Sequence, residues 1–376
     1  MENIKYHRVS PENNSNAGFT EFDTIDWLLV ADGRKLMRNS IRVEADVEVF
    51  TTGTTRKTAA ADLRVSNLIG GHAFFESWTC ETQSAGVLQN LQSYPRYQNM
   101  IASATLDADD LCDAGMQAEL RNPSAAGVGA CLEEITSYND NVSNVFLRDD
   151  ASMSIKPNFC WNSMTGDYSF SKNGYIRISC NLARNNHSLY GRDAAADCSY
   201  RLKNVVIKFV SVPDDGKQEK LLMKSYVSIK STVQSTDSHI QARVPSKAVS
   251  GVTISFLKQD DENNNNLVDS NSLQSFKQLD EVIYLFNNSQ SNGVTYPLSD
   301  KGDMLKKALE SVQDASHNQA KGNKLAANKG YLLGLDFAEM VDLSNQRFSI
   351  QLKSSDASLS TAPLNVYAFF HELLSM

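Results

Sequence analysis

The chain has 376 residues, 41% hydrophobic and 21% charged, with a formal net charge of −8. That length exceeds what one hydrophobic core fills, so two domains are expected. No apolar run approaches the roughly 20 residues of a membrane span, no charged-then-apolar leader opens the sequence, and no lysine or arginine block offers a phosphate-neutralising surface. The expectation is a globular protein made in the cytosol that does not bind nucleic acid directly.

Residues 1–18 are polar, with Pro11-Glu12-Asn13-Asn14-Ser15-Asn16, and read as an N-terminal arm. Phe22 to Val30 is a short apolar stretch around Trp27. Ile41 to Val49 is the cleanest strand: Ile41, Val43, Ala45, Val47 and Val49 alternate with Arg42, Glu44, Asp46 and Glu48, one face for the core and one for water. Leu63 to Ile69 reads as another strand. Leu88 to Leu106 carries a helical pattern interrupted by Pro95, and Asp107 to Ser137 a long surface excursion. Val145-Phe146-Leu147, Ile155 to Trp161 and Tyr175 to Cys180 supply further strands, punctuated by Asn, Gly and Ser.

Tyr200 to Gln234 reads as a joint. The β-branched run Leu202–Val212 is cut by Val212-Pro213-Asp214-Asp215-Gly216, where proline removes a ladder donor and glycine accepts positive φ. Strand chemistry resumes at Met223–Val233. Ile240 to Val244 and Val252 to Leu257 follow as strands, Asp260 to Asn266 as a polar loop, Asp303 to Val312 as a helix and Ala315 to Lys329 as a loop. Tyr331 to Phe337, Arg347 to Lys353 and Leu364 to Phe370 close the chain as strands.

The halves resemble each other. Phe74–Thr82 runs into Gln83-Ser84-Ala85-Gly86-Val87, and Glu281–Ser289 runs into Gln290-Ser291-Asn292-Gly293-Val294. Tyr94-Pro95 and Tyr296-Pro297 follow, each ahead of a helical pattern. About eight short strands per half is a jelly-roll count. The fold expected is therefore all-β: two tandem eight-stranded antiparallel jelly rolls with short helices inserted between strands. The divisions are an arm at 1–18, a first roll at 19–213, a linker at 214–222 and a second roll at 223–376.

No catalytic or cofactor-binding set emerges. The histidines lack metal-ligand spacing, and Gly71-His72-Ala73-Phe74-Phe75-Glu76 offers only one histidine and one carboxylate where a cupin-type metal site needs more. No nucleophile elbow or phosphate loop is present. The six cysteines Cys80, Cys112, Cys131, Cys160, Cys180 and Cys198 form no Cys-x-x-Cys pair and are expected as thiols. Calcium is the only cofactor the residues raise. Asp261, Asn263, Asn265 and Asp269 hold positions 1, 3, 5 and 9 of a twelve-residue loop, but position 6 is Asn266 rather than glycine and position 12 is Ser272 rather than glutamate. A solvated loop is the favoured reading.

The tandem rolls, the stretch from Phe74 through Gly86 to Tyr94-Pro95-Arg96-Tyr97, the joint Tyr200-Arg201-Leu202-Lys203-Asn204-Val205 leading to Val212-Pro213-Asp214-Asp215, and Val341-Asp342-Leu343-Ser344-Asn345-Gln346-Arg347-Phe348 carry a resemblance. The chain resembles double jelly-roll major capsid proteins of tailless icosahedral viruses, the lineage of adenovirus hexon and membrane-containing phages. The resemblance implies no enzyme but a virion structural protein, made in the host cytoplasm, whose homotrimers form pseudo-hexagonal capsomers. It implies as partners the chain itself, neighbouring capsomers, penton or minor capsid proteins, and an inner membrane beneath the arm. The alternative is a carbohydrate-binding tandem β-sandwich, a viral attachment or lectin-like protein using Tyr94, Tyr97, Trp161 and Tyr190. Burial in a core or an interface is the simpler reading of those aromatics.

Overall fold

The computed structural model describes residues 4–13, 16–56, 63–66, 68–106, 118–121, 151–191, 197–217, 220–263, 269–271, 273–274, 279–287, 289–297, 306–312 and 332–376. In the first half these form β1 (Lys5–Val9), β2 (Thr24–Leu29), β3 (Arg34–Leu36), β4 (Arg42–Thr52), β5 (Thr55–Arg56), β6 (Arg64–Val65), β7 (Phe75–Thr82), β8 (Gly86–Leu91), helix α1 (Tyr94–Thr105), β9 (Ala151–Ile155), β10 (Tyr168–Ser169), β11 (Ile176–Leu182), β12 (Leu189–Tyr190) and β13 (Ser199–Pro213). The second half holds β14 (Leu222–Val233), β15 (Asp237–Ala242), β16 (Val249–Lys258), helix α2 (Gln259–Asn263), β17 (Leu279–Phe286), β18 (Ser289–Pro297), helix α3 over 306–312, β19 (Leu332–Val341), β20 (Phe348–Ser354) and β21 (Leu364–Ser375).

The two halves share one topology. β1, β13, β4 and β9 lie side by side in the first, as β14, β21, β16 and β19 do in the second. The opposing sheets run β2-β11-β7-β8 and β15-β20-β17-β18. Opening and closing strands pair in both halves, and α1 and α3 each stand between the same two strands of their half. Each half is an eight-stranded jelly roll. The first carries β3, β5 and β10 as extensions of its first sheet, with β6 and β12 as a separate pair.

Alternation builds the cores. On β4, Val43, Ala45, Val47 and Val49 are buried while Arg42, Glu44 and Asp46 are half-exposed. Glu48 departs from the pattern: it is buried, and it draws Lys203 (2.9 Å), Arg201 (3.7 Å) and Arg56 around its carboxylate. On β13 the ladder shifts between Lys203 and Val206, where Asn204 takes φ 51°. That bulge resets the alternation, so Val205, Val206, Ile207 and Phe209 are all buried. Trp78 anchors the first core, with Phe75 at 4.9 Å, Phe159 at 5.6 Å, Tyr94 at 6.1 Å and Trp27 at 6.3 Å between ring centres. Such pairs add about 0.5–1.5 kcal/mol each beyond burial.

Several elements differ from the sequence reading. Residues 5–9, read as part of an arm, form the opening strand of the first roll. His7 and Val9 face the sheet interior, where His7 stacks on Phe209 at 4.4 Å and its Nε2 meets Ser211 Oγ at 2.7 Å. Leu63–Ile69 yields only the two-residue β6, because the chain turns at Gly70 (φ 51°), where a Cβ would lie 2.3 Å from the Glu119 carbonyl. The helix read from Leu88 begins at Tyr94. Gly86–Leu91 pairs with β7 instead, and Pro95 sits in the first helical turn, where no donor is lost. β9 stops at Ile155, ahead of Lys156-Pro157, rather than running to Trp161. Gln259–Asn263 is helical rather than looped. Val145–Leu147 and Ala315–Lys329 lie outside the described residues.

The repeated pentapeptide is not in register. Gly86 closes the first hairpin opposite Thr82, whereas Ser289, not Gly293, closes the second opposite Phe286. The hairpin repeats; the five-residue match is incidental.

Candidate functional site: the seam between the two rolls

Every residue of α1 from Tyr94 to Thr105 is buried. One amphipathic stripe cannot do this; a helix enclosed on several sides can. Tyr94 enters the first core beside Trp78. Tyr97 turns to the second roll, stacking on Tyr226 at 3.8 Å with 27° between planes and lying 5.4 Å from Phe369. The Arg96 guanidinium sits 4.4 Å over the Tyr367 ring. Tyr226 on β14 and Tyr367 and Phe369 on β21 stand on the outward face of their sheet, because Val366, Ala368 and Phe370 occupy the inward face in the second core.

Polar groups of the first roll close the start of the free edge of β14. Thr165 N donates to Leu222 O (3.0 Å), Leu222 N donates to Thr165 Oγ1 (3.1 Å) and Lys224 N donates to Ser163 Oγ (2.9 Å). Over Leu222–Lys224 an edge that would otherwise invite another chain is thereby satisfied within the molecule. The turn before β14 is fixed as well: Lys35 donates to Asp215 (2.5 Å) and Gly216 N donates to Asp214 (2.9 Å). Both carboxyls sit below their ordinary values, Asp214 through Ser169 first and Asp215 through Lys35.

α3 lies on the same outward face through Ala308, Ser311 and Val312, with Ser311 Oγ 2.9 Å from Thr253 Oγ1. Gly334 permits the approach, since a Cβ there would lie 2.9 Å from Ala308 Cα. Under the two helices His371 is buried, its Nε2 2.6 Å from Thr253 Oγ1 and its Nδ1 without a partner among the described residues. Burial, and then the charge of Lys224, hold its pKa at about 3, so the ring is neutral. Arg96 donates to the Ser270 carbonyl, and burial lowers its pKa against the pull of Tyr367 and nearby carboxylates. A cavity of about 90 Å³ beside it is lined by Glu76, His187, Lys230, Glu262 and Asn271.

A buried polar cluster flanks α1. His72 Nδ1 is 2.8 Å from Tyr94 Oη, His72 Nε2 is 3.2 Å from Glu119, and Arg121 Nε is 3.0 Å from Glu119. Asn158 N donates to Tyr94 Oη, which leaves the tyrosine hydroxyl able to donate to Nδ1, and Nε2 lies 3.2 Å from both Glu119 and Arg121 Nη2. Burial would raise the Glu119 pKa, but the His72 hydrogen bond and the nearby positive charges hold it at about 2. The cluster pins residues 118–121 to the first roll. Glu76, the carboxylate four residues after His72, instead lies 3.9 Å from His187.

Two of the calcium-spaced residues have other partners. Asp261 and Asn263 fall in α2. Asp261 accepts from Gln274 (2.6 Å), and Asp269 accepts from Asn271 N (2.9 Å). Asn265 lies outside the described residues. Glu262, which the spacing passed over, accepts from Lys230 (2.6 Å) and Tyr367 (2.7 Å). No group of three potential metal ligands occurs among the described residues. Of the candidate carbohydrate aromatics, Tyr94, Tyr97 and Trp161 are buried inside the chain and Tyr190 is half-buried. Cys80, Cys160 and Cys180 are buried free thiols and Cys198 is buried; Cys112 and Cys131 lie outside the described residues. The sequence reading missed Ser163, Thr165 and His371. The motif that holds Arg96 and Tyr97 does not reveal that they pack on the second roll.

Solved structures match along nearly the whole chain. The Faustovirus major capsid protein superposes with a TM-score of 0.61 at 9% identity, covering 99% of this chain and 90% of that one. A cryo-EM structure of the Sputnik virophage gives 0.61 at 9% identity, covering 99% and 86%. The shared fold is a double jelly roll. No protein-family model and no curated protein matches the sequence.

Proposed function

We propose that the chain is the major capsid protein of a tailless icosahedral virus, assembling as pseudo-hexagonal homotrimers that tile a virion shell. The supporting observation is the seam. It joins unlike surfaces of two like units, the helix side of the first roll and the outward sheet face of the second. A contact between unlike surfaces closes into a ring when its rotation permits. Three chains of two similar rolls supply a six-unit ring suited to a flat facet. The Faustovirus protein of the same fold is a major capsid protein. Partners on this reading are neighbouring capsomers, penton or minor capsid proteins and an inner membrane, and the net charge of −8 suits a shell that does not grip the genome.

Light scattering on the purified chain tests this. The expected mass is three times the 41.6 kDa of one chain, with larger assemblies at higher concentration. A monomer at micromolar concentration, and no shell in virions, contradicts the reading.

A further inference from the structure

We propose that Lys230 and Asn365 form an isopeptide bond within the chain, with Glu262 as the base that moves the protons. The inference goes beyond the capsid reading and does not depend on it. Its ground is one carboxylate shared by an amine and a carboxamide. Glu262 Oε1 accepts from Lys230 Nζ at 2.6 Å, and its Oε2 accepts from Asn365 Nδ2. Thr232 Oγ1 donates to Asn365 Oδ1 at 3.0 Å, and Tyr367 Oη donates to Glu262 Oε1 at 2.7 Å. In the ladder of β14 and β21, Lys230 stands opposite Tyr367 and Thr232 opposite Asn365. Lys230 and Asn365 are therefore diagonal neighbours on one face, a spacing that a long side chain spans.

Each group has a part in acyl transfer. Asn365 is 2% exposed, so its carboxamide is held away from water. Burial would raise the Glu262 pKa, but hydrogen bonds from Lys230 and Tyr367 hold it below its ordinary value. The carboxylate is thus ionised beside the ammonium from which it takes a proton. The freed lone pair on Nζ attacks Asn365 Cγ, and the Thr232 hydroxyl meets the charge that develops on Oδ1. The Nζ–Cγ bond forms and the Cγ–Nδ2 bond breaks. Both protons that Nζ gives up leave with Nδ2 as ammonium, and Glu262 returns to its ionised form. The Lys230 side chain is 49% exposed, so the departing ammonium has solvent beside it. No oxidant or cofactor is needed. Two groups of low reactivity gain, when held together in this way, the equivalent of a very high local concentration. The product ties the opening strand of the second roll to its closing strand.

Intact mass and tryptic mapping of the full native chain test the bond. The expected mass is that of the sequence less one ammonia, with a branched peptide joining Lys230 to Asn365 and no cleavage after Lys230. Glu262→Gln keeps the shape of the carboxylate but cannot take the proton, and Lys230→Arg removes the nucleophile. Both variants are expected to keep the ammonia. Should either fail to fold, the peptide map of the wild type decides alone. A wild type that keeps the ammonia and is cleaved after Lys230 overturns the bond and leaves an ion pair. Ammonia lost from another asparagine, with Lys230 still cleaved, overturns it as well. A bond that forms undiminished in Glu262→Gln overturns the role given to Glu262. None of these results bears on the oligomeric state, by which the capsid reading is judged.

Discussion

The outward faces of the two equivalent sheets have had opposite fates. In the second roll that face carries Tyr226, Thr253, Tyr367, Phe369 and His371, all buried beneath α1 and α3. In the first roll the matching strands show Glu44 paired with Lys208 at 2.6 Å and Asp46 accepting from Asn204 at 2.6 Å, with Arg42 and Lys203 half-exposed beside them. The inward faces of both are ordinary apolar alternation. A repeat in topology thus fixes what points in, and the neighbour of each roll fixes what points out.

The largest test of that contrast is Tyr97→Ala. It removes the ring between Tyr226 and Phe369, and large aromatic truncations in cores cost about 3–5 kcal/mol. The expected result in denaturant is a second roll that melts separately and earlier, where the wild type shows tighter coupling.

Acid should act at the same place. The folded pKa of His371 is about 3 against an ordinary 6.5. Between those values the unfolded chain binds the proton and the folded chain does not, so stability falls as pH drops from 6.5 toward 3, by up to about 1.4 kcal/mol per pH unit for one proton. His371→Gln is expected to flatten this part of a pH–stability curve.

A smaller effect is expected from Gly334→Ala, whose Cβ would meet Ser311 Oγ at 2.5 Å and Ala308 Cα at 2.9 Å. Lifting α3 from its sheet by one methyl should cost about 1–3 kcal/mol, read as a lower midpoint in urea. The smallest change belongs to the open face. Lys208→Ala removes a pair whose side chains are 47% and 31% exposed, and should alter stability by no more than about 1 kcal/mol, less in high salt.

Much of this was legible in the sequence because alternation and turn chemistry are local. The run from Ile41 to Val49 and the break at Pro213–Gly216 announced themselves. β1 did not, since only His7 and Val9 of its five residues face inward and the rest read as polar arm. α1 lies inside the helical pattern of Leu88–Leu106, but its start at Tyr94 is not marked, because a helix buried on all sides has no apolar stripe to delimit it. The Asp and Asn content of α2 points to a loop, although Asp260, Asp261 and Glu262 in a first helical turn favour the helix dipole. Ser163 and Thr165 close the seam with short side chains and backbone, which leave no pattern to read.

The central claim is that the chain supplies two of the six rolls in a ring. A cryo-EM map of the assembled protein tests it most directly. The expected map has three chains around a threefold axis and six similar rolls in a ring. An assembly without the threefold would contradict it.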